Sequence, residues 1–150
     1  MKILVSACLL GEPCRYDGTS KPVPQLEGLG RTGHTLVPVC PEVLGGLPTP
    51  RPPAELQPDG RVVNRLGEDV TQAYRAGGGR TLAIAREKGC TAAVLKANSP
   101  SCGSRQVYDG TFTGTRIPGE GVTARLLRRA GVQVMDEEEL EQALSDNRLR

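Results

Sequence analysis

Residues 2–7, KILVSA, run without a break into Cys8. The run is too short for an ordinary helix and is rich in branched apolar side chains, so it reads as a buried strand. Similar short runs recur along the chain. Thr35–Val39 is a second expected strand, ending at Cys40, with Pro38 placing it near a sheet edge. Thr91–Lys96 and Val132–Met135 are the third and fourth. Between them lie helical patterns: a short one around Gln25–Leu29, a long one over Gly67–Lys88, then Val122–Ala130 and Glu137–Leu144. Val70, Ala73, Tyr74, Ala83 and Ile84 are the expected buried face of the long helix. Gly77-Gly78-Gly79 is expected to break or kink it, since each Gly costs roughly 0.8–1 kcal/mol relative to Ala. Asp136 is the expected N-cap of the last helix. Glu42–Pro58 and the stretch from Lys96 to Gly121 read as loops, and Ser145–Arg150 as a frayed tail. Strands alternating with helices predict an α/β fold of three layers, a mostly parallel sheet with helices on both faces, Rossmann- or flavodoxin-like.

The length of 150 residues fits one domain over residues 1–150. Lys and Arg number 19 against 17 Asp and Glu, a formal charge of +2, which argues against a nucleic-acid arm or a polybasic membrane patch. Aromatic residues make up 3%, too few for an extended base-stacking surface, so a long nucleic acid is not an expected partner. No apolar run approaches the ~18 residues of a membrane span, and the N-terminal run is short for a signal peptide. The expected compartment is the cytoplasm. Five cysteines there are a poor disulfide framework, the more so for being odd in number.

Placed on the expected strands, Cys8, Cys40 and Cys102 fall at or beyond three strand ends. Open parallel sheets bind ligands outside the carboxyl ends of their strands. Cys14 follows in the loop leaving strand one, whereas Cys90 precedes strand three, at the opposite end of the sheet, and is expected to be structural. There is no C-x-x-C pair, and the one histidine, His34, precedes strand two, so a structural zinc site is weakly supported. Thiolates also hold iron–sulfur clusters, and three of them leave one iron of a cubane without a protein ligand.

Polar residues flank these cysteines. Glu42 follows Cys40 by two and is a candidate general acid/base. Ser99 and Ser101 flank Pro100 beside Cys102 and are candidate hydrogen-bond donors. Lys96, Asn98 and Arg51 are further candidates for the same crevice. Gly119-Glu120-Gly121 ahead of the helix at Val122 is a weak anion-binding signal. The residues alone therefore leave open catalysis at a cluster, a non-catalytic metal-binding or redox-sensing α/β protein with Cys14 as a further ligand, and an anion-binding module.

Taken together, SACLLGEPCRYDG (6–18), CPEVLGGLPTPRPPAE (40–55), LKANSPSCG (95–103) and YDGTFTGTRIPGEGVTARLL (108–127) resemble the TudS-type thiouracil desulfidase family. The resemblance implies a [4Fe-4S] cluster held by three cysteines with one iron open. It also implies non-redox replacement of the thiocarbonyl sulfur of a thiolated pyrimidine by oxygen, with release of hydrosulfide. Carried onto this chain, the cluster ligands are Cys8, Cys40 and Cys102, the glutamate is Glu42, and the serine is Ser99 or Ser101. The implied partner is a small thiolated pyrimidine, not a membrane; an oligomer is compatible with the resemblance.

Overall fold

The computed structural model describes residues 1–146. At its centre is β1 (Lys2–Ser6), buried from Ile3 onward, with a parallel neighbour on each side. On one side lies β2 (Thr35–Val39), the sheet edge, where Pro38 pairs opposite Val5. On the other lies β5 (Ala92–Leu95), buried at every residue, and beyond it β8 (Gln133–Asp136). All three ladders are parallel, in the order β2-β1-β5-β8.

Successive residues of β1 serve opposite faces, as the period of two requires. Ile3 and Val5 pack with Leu26 and Leu29 of α1 (Pro24–Arg31) and with Leu140 and Ala143 of α5 (Leu140–Ser145). Leu4 packs on the other face, with Ala85 of α3 (Thr71–Lys88) and with Ala124 and Leu127 of α4 (Val122–Arg129). The three layers and the parallel sheet therefore agree with the sequence reading.

Several expectations are corrected. First, β1 stops at Ser6, and Cys8 sits in the 3-10 turn Ala7–Leu10 that follows. Second, 42–58 is not all loop. Pro41 supplies a preset φ at the first position of α2 (Pro41–Leu44), and Ala54–Leu56 (β3) pairs antiparallel with Val62–Asn64 (β4). The stretch after Lys96 likewise contains a hairpin, β6 (Gln106–Tyr108) against β7 (Arg116–Pro118). Third, the triple glycine does not interrupt α3, which runs unbroken for 18 residues. α5 also begins later than expected, with Glu139 and not Asp136 at its N-cap position. Asp136 accepts from the Glu139 N–H at 3.0 Å while the Glu139 carboxylate accepts from the Asp136 N–H at 3.2 Å, a reciprocal cap across the intervening turn. Of the expected frayed tail, residues 147–150 lie outside the described residues.

The glycines of α3 have a packing reason. A Cβ on Gly77 would stand 1.9 Å from the carbonyl oxygen of Pro41, and one on Gly45 would stand 2.0 Å from that of Ala73. The backbones of α2 and α3 thus touch where no side chain fits. Gly78 faces α4, with Thr123 and Leu126 within 3.3 Å of a would-be Cβ, whereas Gly79 faces open space. Ala83, expected to be buried, is exposed, and the buried stripe instead runs through Thr71, Tyr74, Gly77, Gly78, Thr81 and Ala85.

The three glycines should therefore respond differently to alanine. In thermal unfolding, Gly77→Ala lowers Tm by several degrees, because overpacking against a fixed carbonyl costs about 1–3 kcal/mol. Gly79→Ala raises Tm, because it gains about 0.8–1 kcal/mol of helix propensity with no clash. Equal effects at both positions would remove the helix-contact account.

Candidate active site

The connection from β1 leads to one neighbour, β2, and the later chain returns to the other, β5. Parallel sheets leave a crevice at such a switch point, outside the carboxyl ends of the strands. A cleft of about 520 Å³ lies there. Its lining includes Cys8, Cys14, Cys40 and Cys102, together with Glu42, Arg51, Lys96 and Ser99. Cys90 is absent from it and lies at the other end of the sheet, just ahead of β5. His34 is also at that end, its Nδ1 3.2 Å from the N-terminal amine.

Local structure explains how each thiol arrives. Cys40 follows β2 and is the N-cap residue immediately ahead of α2. Cys102 lies in the turn after β5 and is fixed by Ser6 at the end of β1. The Ser6 hydroxyl donates to Cys102 Sγ at 3.4 Å and accepts from the Lys96 N–H at 3.0 Å. The Cys40 thiol donates to the Cys14 carbonyl at 3.7 Å. All five thiols are free.

Crowding acts on these groups. A hydrogen bond from Cys40 favours the Cys14 thiolate, but hydrogen bonding to Cys8, burial and nearby negative charge outweigh it and push that thiol up to about 11. Cys40 is pushed up by its hydrogen bond with Cys14, by burial and by the Glu42 carboxylate. Burial, then Glu42, pushes up Cys102, against the bonds from Ser6 and Ser101. The thiols crowd together with a carboxylate, an arrangement that a soft cationic group would relieve.

Glu42 stands in the first turn of α2 and pairs with Arg51, Oε2 to Nη2 at 3.0 Å. Both side chains are largely buried, at 14% and 4% exposure. Arg51 also donates to the carbonyls of Cys14 (3.0 Å) and Pro48 (3.2 Å) and to Thr49 Oγ1 (3.1 Å). Arg51 is thus a buried residue of the cleft wall and not a solvated surface arginine. The two serines separate. Ser99 lines the cleft, its Oγ accepting from the backbone N–H groups of Ser101 and Cys102 at 3.1 and 3.0 Å. Ser101 is fully buried, with its hydroxyl 2.7 Å from that of Thr123. Lys96 lines the cleft and pairs with Glu137 at 3.1 Å.

The anion-binding reading of Val122 is corrected. The N–H groups of Val122 and Thr123 already donate to the carbonyls of Pro100 and Ser101 at 3.0 and 2.9 Å. Gly121 is there for close approach: a Cβ would meet the Ser101 carbonyl at 2.4 Å. Sequence reasoning missed Glu55, buried in β3, whose Oε1 accepts from the N–H groups of Gly110 and Phe112 at 2.9 and 3.1 Å. A lone Glu between prolines and a hairpin carries no local signal of such a clamp.

A model of the 2-thiouracil desulfurase family matches residues 3–139. The chain belongs to the 2-thiouracil desulfurase family. A solved structure of the [4Fe-4S]-dependent thiouracil desulfidase TudS is 48% identical with a TM-score of 0.90, covering 99% of each chain. The uncharacterized protein YbbK of Bacillus subtilis (strain 168) is 45% identical over 151 residues, covering 95% of this chain and 99% of that protein. The thiols of this member fit the group that TudS is described as requiring. Among the described residues, no three His, Cys, Asp or Glu side chains converge on a point that would hold a metal ion. A cluster makes no such demand, because each thiolate takes its own iron.

The buried pair is measurable by itself. Arg51→Ala leaves the Glu42 carboxylate buried without its partner, and denaturant unfolding should register a loss of about 3 kcal/mol. A loss below ~1 kcal/mol, the scale of a surface pair, would mean that the pair does not hold this wall of the cleft.

Proposed function

We propose that this cleft exchanges the sulfur of a thiolated pyrimidine of the 4-thiouracil type for the oxygen of water, releasing hydrosulfide. The observation that carries the reading is the gathering of four thiols beside the Glu42 carboxylate at the switch point of the sheet, in a chain 48% identical to TudS. The protein is an enzyme of the thiouracil desulfidase type, and residues 1–150 act as one domain. Its free thiols suit a reducing cytoplasm. Among the described residues, no helix is long and apolar enough to cross a membrane.

Cys8, Cys40 and Cys102 would hold the [4Fe-4S] cluster, leaving one iron open. Bound there, the cluster supplies a soft Lewis acid for the thiocarbonyl sulfur. Everything else falls to the chain. Glu42, facing the cleft from α2, takes a proton from the water that attacks the ring carbon. Arg51 is a positioning residue: its guanidinium at 3.0 Å fixes where the Glu42 carboxylate points. Ser99 accepts two backbone N–H bonds through its oxygen, so its own hydrogen is free to orient that water or a ring carbonyl. Ser101 is fully buried against Thr123 and outside the cleft lining, which favours Ser99 for the role. The balance needs no electrons: C=S and H₂O become C=O and H₂S, the latter leaving as hydrosulfide and a proton.

Anaerobic reconstitution, iron and sulfide analysis, and loss of the thiocarbonyl absorbance of 4-thiouracil test this. Cys8→Ser, Cys40→Ser and Cys102→Ser should each lose the brown chromophore, whereas Cys90→Ser keeps it. Glu42→Gln should keep the chromophore and lose about 10²- to 10⁴-fold in kcat. Full turnover by Glu42→Gln would remove the proton role, and full iron content in Cys102→Ser would remove the ligand set.

A further inference from the structure

The chain has three Tyr and one Phe, and three of these four rings, Tyr16, Tyr108 and Phe112, line the one cleft. Among the described residues, two positions other than glycine have positive φ: Asn98 at 68° and Phe112 at 58°. Both line the same cleft. For Asn that conformation is tolerated, but for a bulky Phe it is an outlier, and such outliers persist only where the surroundings impose them. Here the imposing group is Glu55, a buried carboxylate accepting from the N–H groups of Phe112 and Gly110. Gln57 adds a bond to the Gly110 carbonyl at 3.1 Å. Arg65 stands over the Phe112 ring, its guanidinium carbon 5.8 Å from the centroid. Asn98 is held by a parallel bridge to Val107, and its half-buried side-chain amide has no hydrogen-bond partner among the described residues.

We infer that Asn98 and Phe112 form the recognition site for the pyrimidine ring, Phe112 giving it a flat face and Asn98 reading its polar edge. The inference rests on the desulfidase reading for the identity of the ring. The chemistry matches on both counts. A heteroaromatic ring stacks on an aromatic side chain whatever its substituents. A carboxamide presents one donor and one acceptor side by side, the complement of a ring N–H next to a carbonyl. That pair lies on the part of a thiouracil away from its sulfur, so the same contact serves while the sulfur faces the thiols. Neither contact participates in bond exchange. Both are specificity contacts, and together they explain why strained backbone is retained at these two positions.

The test uses the full chain, anaerobically reconstituted, with two ligands. Uracil, which has the ring but no sulfur, reports ring binding by equilibrium dialysis, and 4-thiouracil reports KM and kcat. Asn98→Gly relieves the positive φ, so Tm stays or rises while uracil affinity falls and KM rises about ten-fold, with a much smaller change in kcat. Phe112→Leu keeps bulk but loses the flat face. It should weaken uracil binding about ten-fold and reduce the preference for 4-thiouracil over its 5,6-dihydro analogue, whose ring is not aromatic. Unchanged affinity and KM in both variants would overturn the inference. So would a fall in Tm for Asn98→Gly that accounts for its weaker binding, since Asn98 would then be structural. Wild-type protein that binds uracil through these residues yet leaves 4-thiouracil intact would refute the desulfidase reading and not the ring site.

Discussion

Where α2 crosses α3 there is no room for a Cβ on either helix, because Gly45 and Gly77 each sit against a backbone carbonyl of the other. That contact holds much else in place. It seats α2 on the sheet's second layer and so sets where Cys40 and Glu42 stand. Gly78, one residue on, lets α4 approach α3. The start of α4 in turn donates its free N–H groups to the Pro100–Ser101 turn, which carries Cys102. Cys40 and Cys102 come from different strand ends, and the contacts of α2 and α4 with α3 join them. The glycines weaken the helix by propensity, and the close packing that they permit offsets this.

Charge is handled by equally few groups. The Arg51 guanidinium, nearly inaccessible, joins Glu42 to the Cys14 carbonyl and to the proline-rich loop. It thereby compensates one buried carboxylate and ties down the segment between β1 and α1. Lys96 and Glu137 make a second pair at the end of β5. The thiols have no such partner. Burial and the Glu42 charge disfavour the anionic forms of Cys40 and Cys102.

What could be read from the sequence follows from where the information lies. Strands β1, β5 and β8 were legible because burial on both faces leaves a continuous apolar run, and the half-exposed edge strand β2 because four of its five residues are still apolar. The placing of Cys8, Cys40 and Cys102 at one edge then followed from the topology of parallel sheets. The continuity of α3 was not legible: Gly77–Gly79 reads as a break in isolation, and only the carbonyls of Pro41 and the side chains of α4 explain it. The hairpins were missed because strands of three residues carry too little pattern to stand out from turn-rich sequence. Arg51 and Glu55 were ambiguous or silent for a related reason. Their partners are far along the chain or on its backbone, which leaves no local trace. The two serines could not be separated until Thr123 claimed Ser101.

The two hairpins stand outside the central sheet, each a separate two-stranded unit, and Glu55 of one holds the turn of the other. The four thiols of the cleft, by contrast, all follow strands of the central sheet. The cleft is thus assembled from two parts with separate supports. One part is fixed by the core, where almost any change disturbs the fold. The other hangs on short ribbons outside the central sheet, whose turns can be lengthened, shortened or exchanged without repacking that sheet. Such a division lets a lineage, or a protein engineer, alter which molecules are admitted while the reactive half is inherited intact.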